Sequence, residues 1–219
     1  NTYTYDEENR LSAVSAQSSA YAYDGFNRRV SKTVNGVATY FISDGDREIE
    51  ERDANGTLLA DYVYGDNIDE VLTMTRAGAT YYYHYDGLGS VTDLTSLTGA
   101  VVESYTYDVY GNVLLPSSIG NPYLFTGRRL DSESGLYYYR ARMYSPTIGR
   151  FLQRDPLGYV DSVGKPTATN PNNFTNQYNY TGNNPINRVD PLGLWYVDLN
   201  VSLIFPWWGG GTAGVMINE

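Results

Sequence analysis

Short runs of alternating apolar and polar residues dominate the first half of the chain. Tyr3-Thr4-Tyr5, Tyr21-Ala22-Tyr23 and Tyr105-Thr106-Tyr107 put a ring at every second position. Successive side chains on a strand point to opposite faces, so both tyrosines of each run share one face. Further alternating stretches follow, such as Arg28-Arg29-Val30-Ser31-Lys32-Thr33-Val34. Between the stretches stand Asp-Gly, Asp-x-x-Asn, Asn35-Gly36 and Asn55-Gly56. Asp bonds nearby backbone and Gly accepts positive φ, so these read as turns. The pattern predicts successive antiparallel hairpins over residues 1–115, nearly without helix. Turns are expected at Asp6, Asp24, Asn35-Gly36, Asn55-Gly56, Asp86-Gly87 and Asp108.

The hairpins are a repeat. Tyr-x-Tyr-Asp occurs at Tyr3–Asp6, Tyr21–Asp24, Tyr83–Asp86 and Tyr105–Asp108, with degenerate copies ending at Asp44 and Asp66. The Asp residues recur every 18 to 22 positions. A unit of two strands and two turns cannot bury its apolar face alone, so the units must stack.

Composition sharpens this picture. Tyr outnumbers Phe 23 to 6, which suits strands whose rings pack while their hydroxyls reach water. The 22 Gly and 9 Pro punctuate the chain too often for long helices. A net charge of −10 argues against nucleic acid or an anionic membrane as partner. There is no Cys, so disulfides, thiol catalysis and cysteine zinc sites are excluded. His84, the only histidine, lies in the strand-like run Tyr81–Tyr85 and is a weak candidate for a Ser-His-Asp triad. Asp44-Gly45-Asp46 lacks the ligand spacing of a calcium loop and reads as a turn. No cofactor or metal is expected. Glycosylation tripeptides such as Asn173-Phe174-Thr175 are too short to carry an argument. The chain starts inside a repeat at Asn1 and reads as a segment of something longer.

Tyr21-Ala22-Tyr23-Asp24-Gly25-Phe26-Asn27-Arg28-Arg29-Val30 resembles the YD repeat of the Rhs family. Relatives there include insecticidal toxin complex C components, wall-associated bacterial proteins and teneurins. The denser stretch beyond the repeats, Phe125–Asp131, Ser134–Tyr144 and Gly149–Gly158, resembles that family's repeat-associated core. Asn176–Pro185 and Asp190-Pro191-Leu192-Gly193-Leu194 resemble its terminal signature. The resemblance implies an all-β fold. Stacked YD hairpins form part of a hollow spiral shell, closed by the Rhs core-associated domain. It divides the chain into repeats at 1–115, core at 116–194 and the start of a variable segment at 195–219. It also implies a bacterial protein, secreted or at the cell surface. Its partners would be its own C-terminal effector inside the shell, the remaining repeats or a delivery partner.

The two Asp-Pro-Leu-Gly sequences, at Asp155 and Asp190, admit two readings. Pro forces the preceding Asp into an extended conformation, so both can be plain turns. Alternatively the carboxylates pair. Two close aspartates cannot both ionise cheaply, so one activates water while the other polarises a carbonyl. The resemblance implies the second reading, a single-turnover aspartyl-type self-cleavage after Leu194. The cut bond would be Leu194–Trp195, with Asp155 and Asp190 catalytic and Arg154 stabilising developing charge. The motifs stand 35 residues apart, so residues 160–176, rich in Asn, Thr and Pro, must loop out if the carboxylates meet.

Beyond Leu194 the composition breaks. All three Trp lie there, and Trp195, Val197, Leu199, Val201, Leu203 and Phe205 alternate with mostly polar residues. Such a stripe calls for burial on one face, most simply inside the shell. It is too short and broken to be a membrane-spanning helix. The competing function is a non-proteolytic adhesin, whose exposed tyrosines bind carbohydrate or another cell's repeats. A conventional enzyme acting on outside substrates has no motif behind it.

Overall fold

The computed structural model describes residues 1–156, 176–194 and 196–199. Among them it is all-β, with no α-helix. The first six strands are β1 (Tyr3–Tyr5), β2 (Leu11–Val14), β3 (Ser19–Tyr23), β4 (Arg29–Val34), β5 (Val37–Asp44) and β6 (Arg47–Arg52). The next five are β7 (Leu58–Tyr64), β8 (Val71–Arg76), β9 (Ala79–Tyr85), β10 (Val91–Ser96) and β11 (Val101–Ser104). All eleven form one antiparallel sheet in chain order. A second sheet holds β12 (Arg129–Asp131), β13 (Leu136–Tyr139), β14 (Arg142–Ser145) and β15 (Arg150–Phe151). The short strands β16 (Arg188–Val189) and β17 (Val197–Asp198) pair with each other.

The turns fall where the repeat predicts. Asn35 and Gly36, at φ 50° and 83°, make the two-residue link from β4 to β5, which pairs Val34 with Val37. The Asp turns follow the expected Asp-x-x-Asn form rather than the Asp-Gly form. Asp24 Oδ1 accepts the N–H of Phe26 and of Arg28, both at 2.9 Å. Asp6, Asp53, Asp86 and Asp108 capture the second and fourth residues beyond them in the same way. Positive φ falls on the third residue after each Asp: Asn9, Asn27, Gly56, Gly89 and Gly111. Gly25 and Gly87, directly after an Asp, are not in that region. The carboxylate closes a wider loop, and only its exit needs the left-handed conformation.

The tyrosine hydroxyls also differ from expectation. The second Tyr of a unit reaches backbone rather than water. Tyr23, Tyr64, Tyr85 and Tyr107 donate to the carbonyls of Leu11, Glu48, Val71 and Val91 at 2.6–3.0 Å. Each hydroxyl thus ties its unit to the preceding one. Burial raises the pKa of these hydroxyls, so they stay donors.

The second sheet covers one face of the first. Tyr62, Met74, Tyr83 and Leu94 pack with Phe125, Tyr137, Tyr139, Tyr144, Phe151 and Tyr180 in the main core. Charge crosses the same interface. Arg129 on β12 donates to Glu48 and Glu51 on β6, the latter at 2.7 Å. Glu51 also accepts from Arg76 and from Tyr62, each at 2.6 Å. Asp131 takes Arg29 at 2.5 Å and Lys32 at 3.3 Å. Arg29 is fully buried, its guanidinium 4.4 Å from the Tyr138 ring centroid. Breaking one partner of such a network strands a buried charge and costs about 3–5 kcal/mol.

Burial pushes the Glu51 carboxyl up, but Arg129 and Arg76 pull harder and leave its pKa at about 2. The unfolded carboxyl titrates near 4.5, so the folded state binds the proton less readily. The stabilisation is complete above 4.5 and is lost as pH falls toward 2. Urea midpoints measured through this window should therefore fall steeply for the native chain. The Glu51→Gln chain should start less stable and show a flatter dependence.

Candidate active site

The turn from β13 to β14 builds the site. It is tight, with Arg140 at φ 56°, and it presents Tyr139, Arg140, Ala141 and Arg142 to one incoming segment. That segment is Pro191–Leu194. Arg140 Nη1 donates to the Pro191 carbonyl at 2.7 Å, and Ala141 N–H to the Leu192 carbonyl at 3.2 Å. Arg142 Nε donates to the Gly193 carbonyl at 2.5 Å. Three successive carbonyls are thereby fixed. Gly193 lies so close that a Cβ would sit 2.5 Å from the Tyr139 carbonyl oxygen, and its φ is +69°.

Both aspartates converge on Arg142. Its Nη2 lies 3.2 Å from Asp155 Oδ2 and 3.3 Å from Asp190 Oδ2. Asp190 Oδ1 accepts the Leu194 N–H at 3.0 Å, which ties one carboxylate to the residue before the expected cut. Asp190 is 4% exposed in its side chain and Asp155 11%. The Arg142 guanidinium stacks 3.7 Å from the Phe151 ring centroid. Burial lowers its pKa, while the two aspartates pull the other way. A buried Arg nonetheless stays charged at ordinary pH.

Gln177 joins the two halves. Its carbonyl accepts both the Asp155 N–H, at 3.1 Å, and Arg142 Nη1, at 3.1 Å. Phe151 N–H donates to the Tyr178 carbonyl at 2.9 Å. Residues 151–155 and 177–178 are thus zipped together. Leu194 and Leu192 line a cavity of about 460 Å³ with Ala141, Pro156 and Tyr138.

The arginine between the carboxylates is one that sequence reading missed. Arg154 is exposed, and its Nε donates to Gln177 Oε1 at 2.5 Å. Arg142 shares with Arg140 the signal of a charge inside the aromatic run Tyr137–Tyr144, which calls for a counter-charge. Trp195 lies outside the described residues, as do positions 200–205 of the expected apolar strand. Within that strand Val197 is half-buried and Leu199 exposed. The His84 triad is not assembled. Asp93 sits between His84 and Ser104 in the strand register, and Ser104 Oγ donates to Asp93 Oδ1 at 2.6 Å. His84 Nε2 instead meets Thr95 Oγ1 at 3.0 Å.

Sequence comparison places this architecture. The Teneurin YD-shell family matches residues 1–186. The chain belongs to the YD-shell family. It is 36% identical over 205 residues to the tRNA3(Ser)-specific nuclease WapA of Bacillus spizizenii, covering 89% of this chain and 8% of that protein. It is 27% identical over 232 residues to double-stranded DNA deaminase toxin A of Burkholderia cenocepacia, covering 88% of this chain and 15% of that one. The crystal structure of TcdB2-TccC3 superposes with a TM-score of 0.64 at 20% identity, over 88% of this chain and 10% of that chain. The YD-shell segment thus spans under a sixth of the length of these relatives, and at 20% identity the structural match speaks for the fold alone.

The close fit at Gly193 has a measurable consequence. Gly193→Ala should lower stability by about 2–5 kcal/mol, the ~1–2 kcal/mol of a left-handed L residue plus about 1–3 kcal/mol because the new methyl meets the Tyr139 carbonyl. Gly99→Ala also substitutes at positive φ but with nothing within 4 Å, and should cost only ~1–2 kcal/mol. Equal losses in chemical denaturation would mean that the segment is not held against the turn.

Proposed function

We propose that this chain is the end of a polymorphic-toxin shell, which encloses a C-terminal effector and cuts itself between Leu194 and Trp195. Secretion or display at a bacterial cell surface goes with that reading, as do the relatives named as nucleases and toxins. The observation that carries the proteolytic part is the clamped segment. Pro191–Leu194 has three carbonyls held, and its last amide is bound by one of two carboxylates that share Arg142. A substrate fixed this way meets its catalytic groups without a search, which contributes much of a barrier reduction.

The roles derive from position. Asp155 is the more accessible carboxylate and takes a proton from the attacking water. The water oxygen bonds to the Leu194 carbonyl carbon. Asp155 then delivers that proton to the leaving nitrogen of Trp195, while Asp190 holds the Leu194 amide in place. The C–N bond breaks, giving a Leu194 carboxyl group and a Trp195 amine. Arg142 keeps the two carboxylates together and balances their charge. Arg154 supports the same arrangement indirectly, by holding Gln177 against the Asp155 backbone.

Intact-mass analysis of the purified chain tests the reading. A product beginning at Trp195 is expected. Asp155→Asn and Asp190→Asn should each leave the chain whole while the fold persists. Arg142→Gln should slow the cut by on the order of 100-fold, and Arg154→Ala by less. If both Asp→Asn chains are cut at the same bond, the Asp-Pro motifs are turns. A native chain that stays whole would leave the adhesive alternative.

A further inference from the structure

The cut bond lies in the connection of a hairpin. Strand β16 precedes Asp190 by one residue, and β17 begins three residues after Leu194. They pair antiparallel, Arg188 with Asp198 and Val189 with Val197. Leu199 N–H adds a bond to the Asn187 carbonyl at 2.7 Å. Side chains reinforce the pairing. Arg188 Nε meets Asp198 Oδ1 at 2.5 Å, with the two side chains 21% and 16% exposed. The Arg188 guanidinium also lies 4.4 Å from the Tyr196 ring centroid. Gly182 makes room for it, since a Cβ there would sit 2.9 Å from Arg188 Nη1. Leu199 reaches a cavity of about 370 Å³ lined with Ile68, Tyr85, Leu88, Val189 and Pro191.

We propose that Tyr196–Leu199 and Asn187–Val189 form a clasp, with Arg188 as its pin, that fixes the segment beyond the cut and keeps it on the shell afterwards. The proposal rests on the self-cleavage reading for its second half only. Before cleavage the clasp is the far anchor of the scissile bond, opposite the turn Tyr139–Arg142. Once the connection is cut, nothing in the hairpin has to move. The backbone pairs, the ion pair and the ring contact are all made by residues outside Asp190–Trp195. Release of the C-terminal segment therefore becomes a separate step, set by how fast β17 leaves β16. Arg188 is a positioning residue: it acts through Asp198 and the Tyr196 ring.

The full chain provides the test. After self-cleavage, the half-time for loss of residues 195–219 from the body is monitored by dilution and size exclusion. Asp198→Asn and Arg188→Gln should each shorten it about fivefold, the effect of losing an ion pair at the edge of solvent. The charge swap Arg188→Asp with Asp198→Arg should restore part of the loss. A second readout is independent of cleavage. In the uncut Asp155→Asn chain, hydrogen exchange over residues 196–199 should be slow, and should quicken about fivefold when Asp198→Asn is added. Unchanged residence or unchanged exchange in these variants overturns the clasp. If the native chain is never cut but exchange responds as expected, the clasp stands as an anchor and the self-cleavage reading falls.

Discussion

A guanidinium taken out of water must find carboxylates or carbonyls, and this demand fixes the rest of the structure. Arg29, Arg128, Arg129 and Arg142 are all buried, and each meets at least one carboxylate from another part of the fold. Arg129 and Arg29 join β12 to the long sheet through Glu48, Glu51 and Asp131. Arg128 and Arg140 converge on Asp69, in the loop between β7 and β8. Apolar packing alone would let the smaller sheet slide over the larger, because rings against rings tolerate many offsets. Paired charges do not, since a shift of a few ångströms strands several of them at once. The turn Tyr139–Arg142 is held by both kinds of contact, and the candidate site inherits its precision.

The long sheet was legible because its order is local. Each Asp loop closes on residues two and four ahead, and each hairpin pairs consecutive strands, so the repeat alone gives turns, register and strand order. What the repeat did not give was the side-chain link between units. The second Tyr of each unit could equally have faced solvent, and only the stacked geometry puts a carbonyl within its reach. The position of the left-handed residue was misassigned for a related reason. Gly comes directly after Asp24 and Asp86, but Asn27 and Gly89 carry the positive φ, because the loop is set by the carboxylate's bonds rather than by where Gly occurs.

The candidate site was legible in part. Asp155 and Asp190 could be singled out as a matched pair of Asp-Pro motifs, and Leu194 by the break in composition after it. Arg142 could not be ranked above its neighbours. Arg140, Arg142, Arg150 and Arg154 look alike in sequence, and adjacency to Asp155 favoured Arg154. Adjacency along an extended chain is misleading, because consecutive side chains point apart. The residue that reaches both carboxylates comes instead from a neighbouring strand.

The 35-residue separation of the two motifs looked like an obstacle to their meeting, and the geometry removes it. Loop closure costs little more as a loop lengthens, provided its ends are held by something other than the loop. Here the ends are held by the Asp155–Gln177 and Phe151–Tyr178 backbone bonds, by the pairing of Arg150 with Asn179, and by Tyr180 in the aromatic core. The chain beyond Pro156 can therefore be long or short without moving Asp155 relative to Asp190. The same reasoning applies to the far side of Leu194, where β16 and β17 hold the returning segment. A site bounded in this way tolerates change both in the insertion between its two motifs and in the segment C-terminal to β17. Arg142 has no such freedom, because its guanidinium meets Gly193, Gln177, Asp155 and Asp190 at once.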